Sequence, residues 1–146
     1  MATSTYTIQN QTQIEYQQAT NKGARAIVNI YAKSNESLKL LFYWKDGKGF
    51  AKDLSGYSAA LSIRERKDGQ IDAATCSTES GYDGSITLGR DGSILVLMDA
   101  QVLQNSLYKS GEWLYDLILK SPQGIITRLI QGTFYIDRSV TQIGDL

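Results

Sequence analysis

The chain has no histidine, one cysteine and one proline among its 146 residues. Each shortage excludes something. Without histidine there is no imidazole to act as general base, metal ligand or proton switch near neutral pH. Cys76 alone cannot close an internal disulfide, and no Cys/His zinc set can be assembled around it. A nucleophilic thiol would want a basic partner, and the usual one is missing, so Cys76 reads as a small buried or half-buried side chain. The lone proline, Pro122, leaves strand interiors with their amide donors intact. An excess of one charge is also lacking: Lys plus Arg is 15 and Asp plus Glu is 15. A neutral chain has no global field to draw in a phosphate backbone, so nucleic acid is not expected as a partner. It also has little protection against self-association. No stretch approaches the roughly 20 apolar residues of a membrane helix. The opening "MATSTYTIQNQTQIEYQQAT" has no basic segment followed by an apolar one, so it is not a secretory signal. A soluble protein made in a reducing compartment, with no membrane partner, is expected.

What the sequence does have is a period of two. In "SLKLLFYWK", Leu38, Leu40, Phe42 and Trp44 share one face against Lys39, Tyr43 and Lys45, with Leu41 out of pattern. "YSAALSIRE" sets Tyr57, Ala59, Leu61 and Ile63 against Ser58, Ser62 and Arg64. "ARAIVNIYAK" sets Ala26, Val28, Ile30 and Ala32 against Asn29, Tyr31 and Lys33. Half-buried strands need this alternation, because successive side chains point to opposite faces. Turn signals fall between the runs: "KDGKGF", "RKDGQ", "YDGS" and "GRDGS". Glycine after aspartate accepts positive φ without steric cost and suits tight hairpins. Several short strands so punctuated predict an all-β fold, an antiparallel β-sandwich or barrel.

One segment departs from the period. "DAQVLQNSLYKSGEW" opens on Asp99, a good N-cap, and predicts a short helical turn near 100–107. Beyond it, "GEWLYDLILKSPQGIITRLIQGTFYID" reads as a hairpin. Ser121, Pro122 and Gly124 fit positions i, i+1 and i+3 of a type I turn. Trp113, Tyr115, Leu117 and Leu119 face inward on the first strand, and Ile126, Ile130, Phe134 and Ile136 on the second. Gly132 sits mid-strand, where a bulge or a close backbone approach is expected.

The outward positions carry the functional interest. Leu114 and Ile118 lie beside Asp116 and Lys120, and Leu95 and Leu97 oppose Ile94, Val96 and Met98. A sandwich sheet buries one face, so a second apolar face needs cover. The helical turn, the N-terminal arm or another subunit can each supply it. Residues 1–24 form a polar arm, rich in Gln, Thr and Asn and punctuated by Tyr6, Ile8, Ile14 and Tyr16, ahead of a domain spanning 25–146. The candidate subunit interface is therefore Tyr6, Ile8, Ile14, Tyr16, Leu95, Leu97, Leu114 and Ile118.

No chemistry stands out. "GRDGS" and "KDGKG" lack phosphate-loop spacing, and "YDGSITLGRDGS" has too few oxygens for a calcium loop. Neither a cofactor, a metal nor a small-molecule substrate is expected. The carboxylates Asp46, Asp53, Glu65, Asp68, Glu112 and Asp116 fall mostly at turns or outward strand positions, as solvated groups do; Asp116 is placed to bond the backbone or Arg128 across the hairpin. Two Trp and nine Tyr raise a sugar-binding platform. Trp44, Tyr57, Trp113 and Tyr115 fall on core faces, leaving Tyr31, Tyr43 and Tyr135 outward.

Taken together, "DLSGYSAALSIRERKDGQ", "GYDGSITLGRDGSILVLMDAQ" and "GEWLYDLILKSPQGIITRLIQGTFYIDRSVT" resemble a family of small tailed-phage virion proteins. The pattern is similar to the immunoglobulin-like N-terminal domain of phage baseplate upper proteins. The matching positions are Asp53 to Gly56, Ile63 with Arg64, Gly92 to Val96, Tyr115 to Leu117, Arg128 to Gly132, and Val140 with Thr141, over roughly residues 36–141. The resemblance implies an immunoglobulin-like β-sandwich and a non-enzymatic tail or baseplate role in the virion, with other virion proteins and copies of itself as partners. Baseplate upper proteins carry further domains after this module, whereas this sequence stops, which favours a small adaptor, tail or capsid-decorating subunit. A carbohydrate-binding attachment module is the alternative from another class.

Overall fold

The computed structural model describes residues 13–18, 26–33, 36–45, 48–64, 72–102 and 111–137. Nine strands run through them: β1 (Gln13–Gln18), β2 (Ala26–Lys33), β3 (Leu38–Tyr43), β4 (Ser58–Arg64), β5 (Asp72–Ser77), β6 (Gly84–Leu88), β7 (Ser93–Met98), β8 (Gly111–Lys120) and β9 (Ile126–Asp137). They form one hydrogen-bonded sheet in the order β1-β2-β9-β8-β4-β5-β6-β7-β3. The inward residues of β2, β8 and β9 and those of β3 and β7 belong to one buried cluster, with Phe42, Phe134, Leu61 and Leu117 among its largest members. No long helix covers that face among the described residues. A single sheet can then bury one face only by folding back on itself, and a sandwich-like all-β fold results, as expected.

Most neighbouring strands are antiparallel, but two pairings are parallel: β2 with β9 and β5 with β6. β5 and β6 meet at two positions only, Cys76 opposite Gly84 and Ser77 opposite Ser85. That narrow joint divides the strand order into a longer run, β1-β2-β9-β8-β4-β5, the larger layer, and a shorter one, β6-β7-β3, the smaller layer. Asp83 holds the joint from the connecting loop. Its amide donates to the Thr75 carbonyl at 2.9 Å, and its carboxylate accepts from the Thr75 amide at 2.8 Å.

Period two predicts the buried faces well. Leu38, Leu40 and Phe42, Ala59, Leu61 and Ile63, and Val28, Ile30 and Ala32 are all buried, as are Ile94, Val96 and Met98. The β6–β7 and β8–β9 hairpins close in the same way. Gly124 donates to the Ser121 carbonyl at 2.9 Å and Ser121 to the Ile125 carbonyl at 2.8 Å; Gly92 donates to Gly89 at 3.2 Å and Gly89 to Ser93 at 3.0 Å. Gly124 and Gly92 both adopt positive φ, 89° and 81°. This is a type I turn followed by a left-handed residue, which explains the glycine at the fourth position in each. The helical turn begins at 100–102, where the Val102 amide donates to the Asp99 carbonyl at 3.1 Å; residues 103–110 lie outside the described residues.

Ile126 corrects the sequence reading. It is 66% exposed rather than inward. The β8–β9 register shifts between Leu117, opposite Ile130, and Ile118, opposite Arg128. Leu129 is the extra residue of a bulge, and it is buried beside Ile130. One inserted residue reverses the phase of everything before it, so Ile126 shares the outward side with Arg128.

Gly132 is the close approach. A Cβ built there would lie 2.2 Å from the Val28 carbonyl oxygen. The parallel ladder between β2 and β9 skips Val28 and Asn29 but resumes in unchanged register at Ile30 opposite Phe134. Two side chains replace the missing ladder bonds. The Tyr115 hydroxyl donates to the Val28 carbonyl, and the Asn29 Oδ1 accepts from the Thr133 amide at 3.0 Å.

Candidate interaction surfaces

The outer side of the larger layer holds a groove of about 660 Å³. It exists because β2, β9, β8 and β4 stand side by side and expose their outward residues to one concavity. Leu114 and Ile118 come from β8 and Ile27 from β2; Asn29, Asp116 and Arg128 supply polar walls. Leu114 is 37% exposed and Ile118 half-buried. Asp116 pairs with Arg128 across the hairpin at 3.3 Å, the structural pair anticipated from the sequence. Both partners are substantially solvated, so the pair contributes about 0–1 kcal/mol and acts mainly to orient the wall. The chemistry on offer is recognition by shape, with an apolar floor and a fixed pair of opposite charges.

Leu95 and Leu97 do not join Leu114 and Ile118. They lie on β7, on the outer side of the smaller layer. Leu95 stands opposite Leu41 of β3 and Leu97 opposite Lys39. Leu97 is 40% exposed. The four outward leucine and isoleucine candidates of the strands therefore divide between two outer faces. Of the arm candidates, Tyr6 and Ile8 lie outside the described residues. The backbones of Ile14 and Tyr16 belong to β1, where the register sets them opposite Ile30 and Val28. The middle of the arm is thus an edge strand of the chain's own sheet.

Sequence reasoning missed Ile27 and Leu41 as members of these faces, although both break their strand's alternation, which was the available signal. It also missed the exposed doublet Ile125–Ile126 at the β8–β9 tip. There the bulge at Leu129 gave no warning.

Tyr31 and Tyr135 are opposite each other in the β2–β9 register and stack, centroids 4.4 Å apart and planes 4° from parallel. Each ring spends one face on the other. Tyr43 lies on β3 in the smaller layer, so the three outward tyrosines do not form one platform. Trp44 packs edge-on against Tyr57 with Lys52 over its face. Cys76 is fully buried; burial first, and the nearby Asp83 charge second, push its thiol up to about 12. A thiol held neutral is not a nucleophile. Asp53 is held below the ordinary carboxylate range by the hydroxyl and amide of Ser55, at 2.6 and 2.9 Å, in an exposed turn. Asp46, Glu65 and Asp68 lie outside the described residues, and Glu112 is placed on β8. Among the described residues no group of three or more His, Cys, Asp or Glu gathers as a metal site.

Compared with known proteins, the chain matches no family model and none of the curated proteins.

Proposed function

We propose that this chain is a non-enzymatic structural protein of a tailed-phage virion, a tail, baseplate or adaptor component that works by protein–protein assembly. The observation that supports it most is the outer groove, where Leu114, Ile118 and Ile27 are presented on a four-strand floor with the Asp116–Arg128 pair on its wall. Surfaces that combine an apolar centre with a polar border suit docking of another folded protein. The resemblance to the immunoglobulin-like domain of baseplate upper proteins supplies the virion context. Other virion proteins and copies of this chain are then its partners, and it is made in the host cytoplasm before assembly. Decoration of the capsid is the same mechanism at another place on the particle. The sugar-binding alternative draws less support, because Tyr31 and Tyr135 are stacked on each other.

Immunogold labelling of purified particles tests the location: label on the tail or baseplate is expected, label on the head moves the role to capsid decoration, and no label removes the virion reading. Leu114→Glu with Ile118→Glu tests the surface. The doubly substituted chain is expected to remain folded and to be lost from particles; normal incorporation would exclude the groove.

A further inference from the structure

We propose that the free edge of β3 takes the β3 strand of a second copy, antiparallel, about a two-fold axis at Leu41. The sheet ends at β3, and among the described residues no main-chain hydrogen bond reaches its outer side. The strand carries none of the devices that usually blunt an edge except one charge. "LKLLFY" contains no proline, its pairing with β7 runs without a bulge, and Lys39 is its single charged residue.

The phase of the ladder identifies which groups are open. The Trp44 amide donates to the Gly92 carbonyl at 2.8 Å, one step beyond Tyr43 opposite Ser93. Hydrogen-bonded pairs alternate in an antiparallel ladder. Leu38, Leu40 and Phe42 therefore aim their amides and carbonyls at β7, while Lys39, Leu41 and Tyr43 aim theirs outward. A chain of extended backbone is the chemical partner such an edge recognises.

The strand is complementary to itself. Directly opposed residues must share a face, so registers that set Lys39 against the buried Phe42 are excluded. Of the rest, the register with Leu41 opposite Leu41 sets Lys39 opposite Tyr43 and Leu40 opposite Phe42. It uses every outward amide and carbonyl of Lys39, Leu41 and Tyr43 on both strands. A slip one way puts Tyr43 opposite Ser37, beyond the strand; a slip the other way opposes Lys39 to Lys45, two like charges. In the favoured register the outward side chains also line up. Leu95 stands beside Leu41 within one copy, so a row Leu95–Leu41–Leu41–Leu95 crosses the seam. Aliphatic pairs of this kind are the unit by which sheets gain stability. The pairing does not depend on the virion assignment, since it concerns the free protein.

Light scattering on the full chain across a dilution series is the test, with circular dichroism to confirm folding. Wild type is expected at twice its 16.2 kDa mass when concentrated, falling to one mass on dilution. Leu41→Lys and Leu41→Glu, both at a half-buried outward site, are each expected to remain at one mass, and an equimolar mixture of the two is expected to recover the doubled mass. Leu41→Pro removes the central outward amide and is expected to give one mass; if it fails to fold, the Lys and Glu variants still decide. Removing residues 1–12 is expected to leave the doubled mass unchanged. A wild type that stays at one mass, or a dimer that survives both charged substitutions, overturns the pairing. Loss of the dimer on removal of residues 1–12 would make the arm the occupant and overturn it equally.

Discussion

β2 and β9 lie side by side in one register from Ala26 opposite Ile130 to Lys33 opposite Asp137, whereas β5 and β6 meet at Cys76–Gly84 and Ser77–Ser85 alone. Both are parallel pairings in a sheet that is otherwise antiparallel, and both place a glycine where a Cβ would collide with its surroundings. In both, a side-chain oxygen stands where a ladder carbonyl would be: Asn29 Oδ1 for the Thr133 amide in the long joint, and the Asp83 carboxylate for the Thr75 amide in the short one. The difference is in what surrounds the repair. The long joint has ladder bonds on either side of its gap and a buried tyrosine spanning it. The short joint has only its loop. A parallel pairing can thus be interior scaffolding or a fold line, depending on how much ladder flanks the irregularity.

The comparison can be broken most severely at Gly132. Gly132→Ala sets a methyl 2.2 Å from the Val28 oxygen and 2.9 Å from its carbon, both backbone atoms inside the larger layer. A loss on the order of 3 kcal/mol is expected, read as a lowered urea midpoint. Gly84→Ala meets the Leu97 oxygen at 2.5 Å and the Cys76 sulfur at 2.6 Å. Only two paired positions flank this site and one of the close atoms belongs to a side chain, so a smaller loss of about 2 kcal/mol is expected by the same measurement; a cost above that of Gly132→Ala would reverse the ranking of the joints. Tyr115→Phe leaves the Val28 carbonyl without its donor in the core, and about 1–2 kcal/mol is expected. Asp83→Ala removes an exposed partner of Thr75 and is expected to cost about 1 kcal/mol. Amide exchange should separate these two further: Asp83→Ala speeds exchange around Thr75 alone, whereas Tyr115→Phe speeds it through both β2 and β9.

Smallest at neutral pH is the effect of Cys76 ionisation, which should be nil, because the thiol is protonated in both the folded and the unfolded chain there. Its thiol is raised from 9.0 to about 12 in the folded protein, so the native state keeps a proton that the unfolded chain releases. Stability from this group is complete below pH 9.0 and is lost as pH climbs toward about 12. Burial raises the Tyr115 phenol in the same direction. Thermal melts are expected to fall on the alkaline side, and Cys76→Ala is expected to remove part of that fall. Unchanged alkaline melts in the variant would show that the thiol is not the titrating group.

Alternation made the buried faces legible because a half-buried strand writes its burial directly into every second residue. It failed at Ile126 because Leu129 and Ile130 are both apolar, and nothing in "ITRLI" says that both are inward. The type I turn between β8 and β9 was legible from Ser121, Pro122 and Gly124, since local backbone conformation depends on local residues. Strand order was not. That β2 lies beside β9 follows from packing over the whole domain, and so the Tyr31–Tyr135 stack could not be read even though each ring was expected outward. The candidate surface was half legible for the same reason. Leu114 and Ile118 were expected outward, but Ile27 reaches their groove only through the β2–β9 joint, and Leu95 and Leu97 went to another face.

The contact between Asn29 and Thr133 spans 104 positions of sequence. During translation at about 5–20 residues per second, β2 therefore waits several seconds after its own synthesis for the strand that will flank it. In that interval β2 has β1 beside it, but its second neighbour, β9, does not yet exist. Chaperone engagement and the pace of elongation across the later half of the message are accordingly expected to influence the yield of this protein.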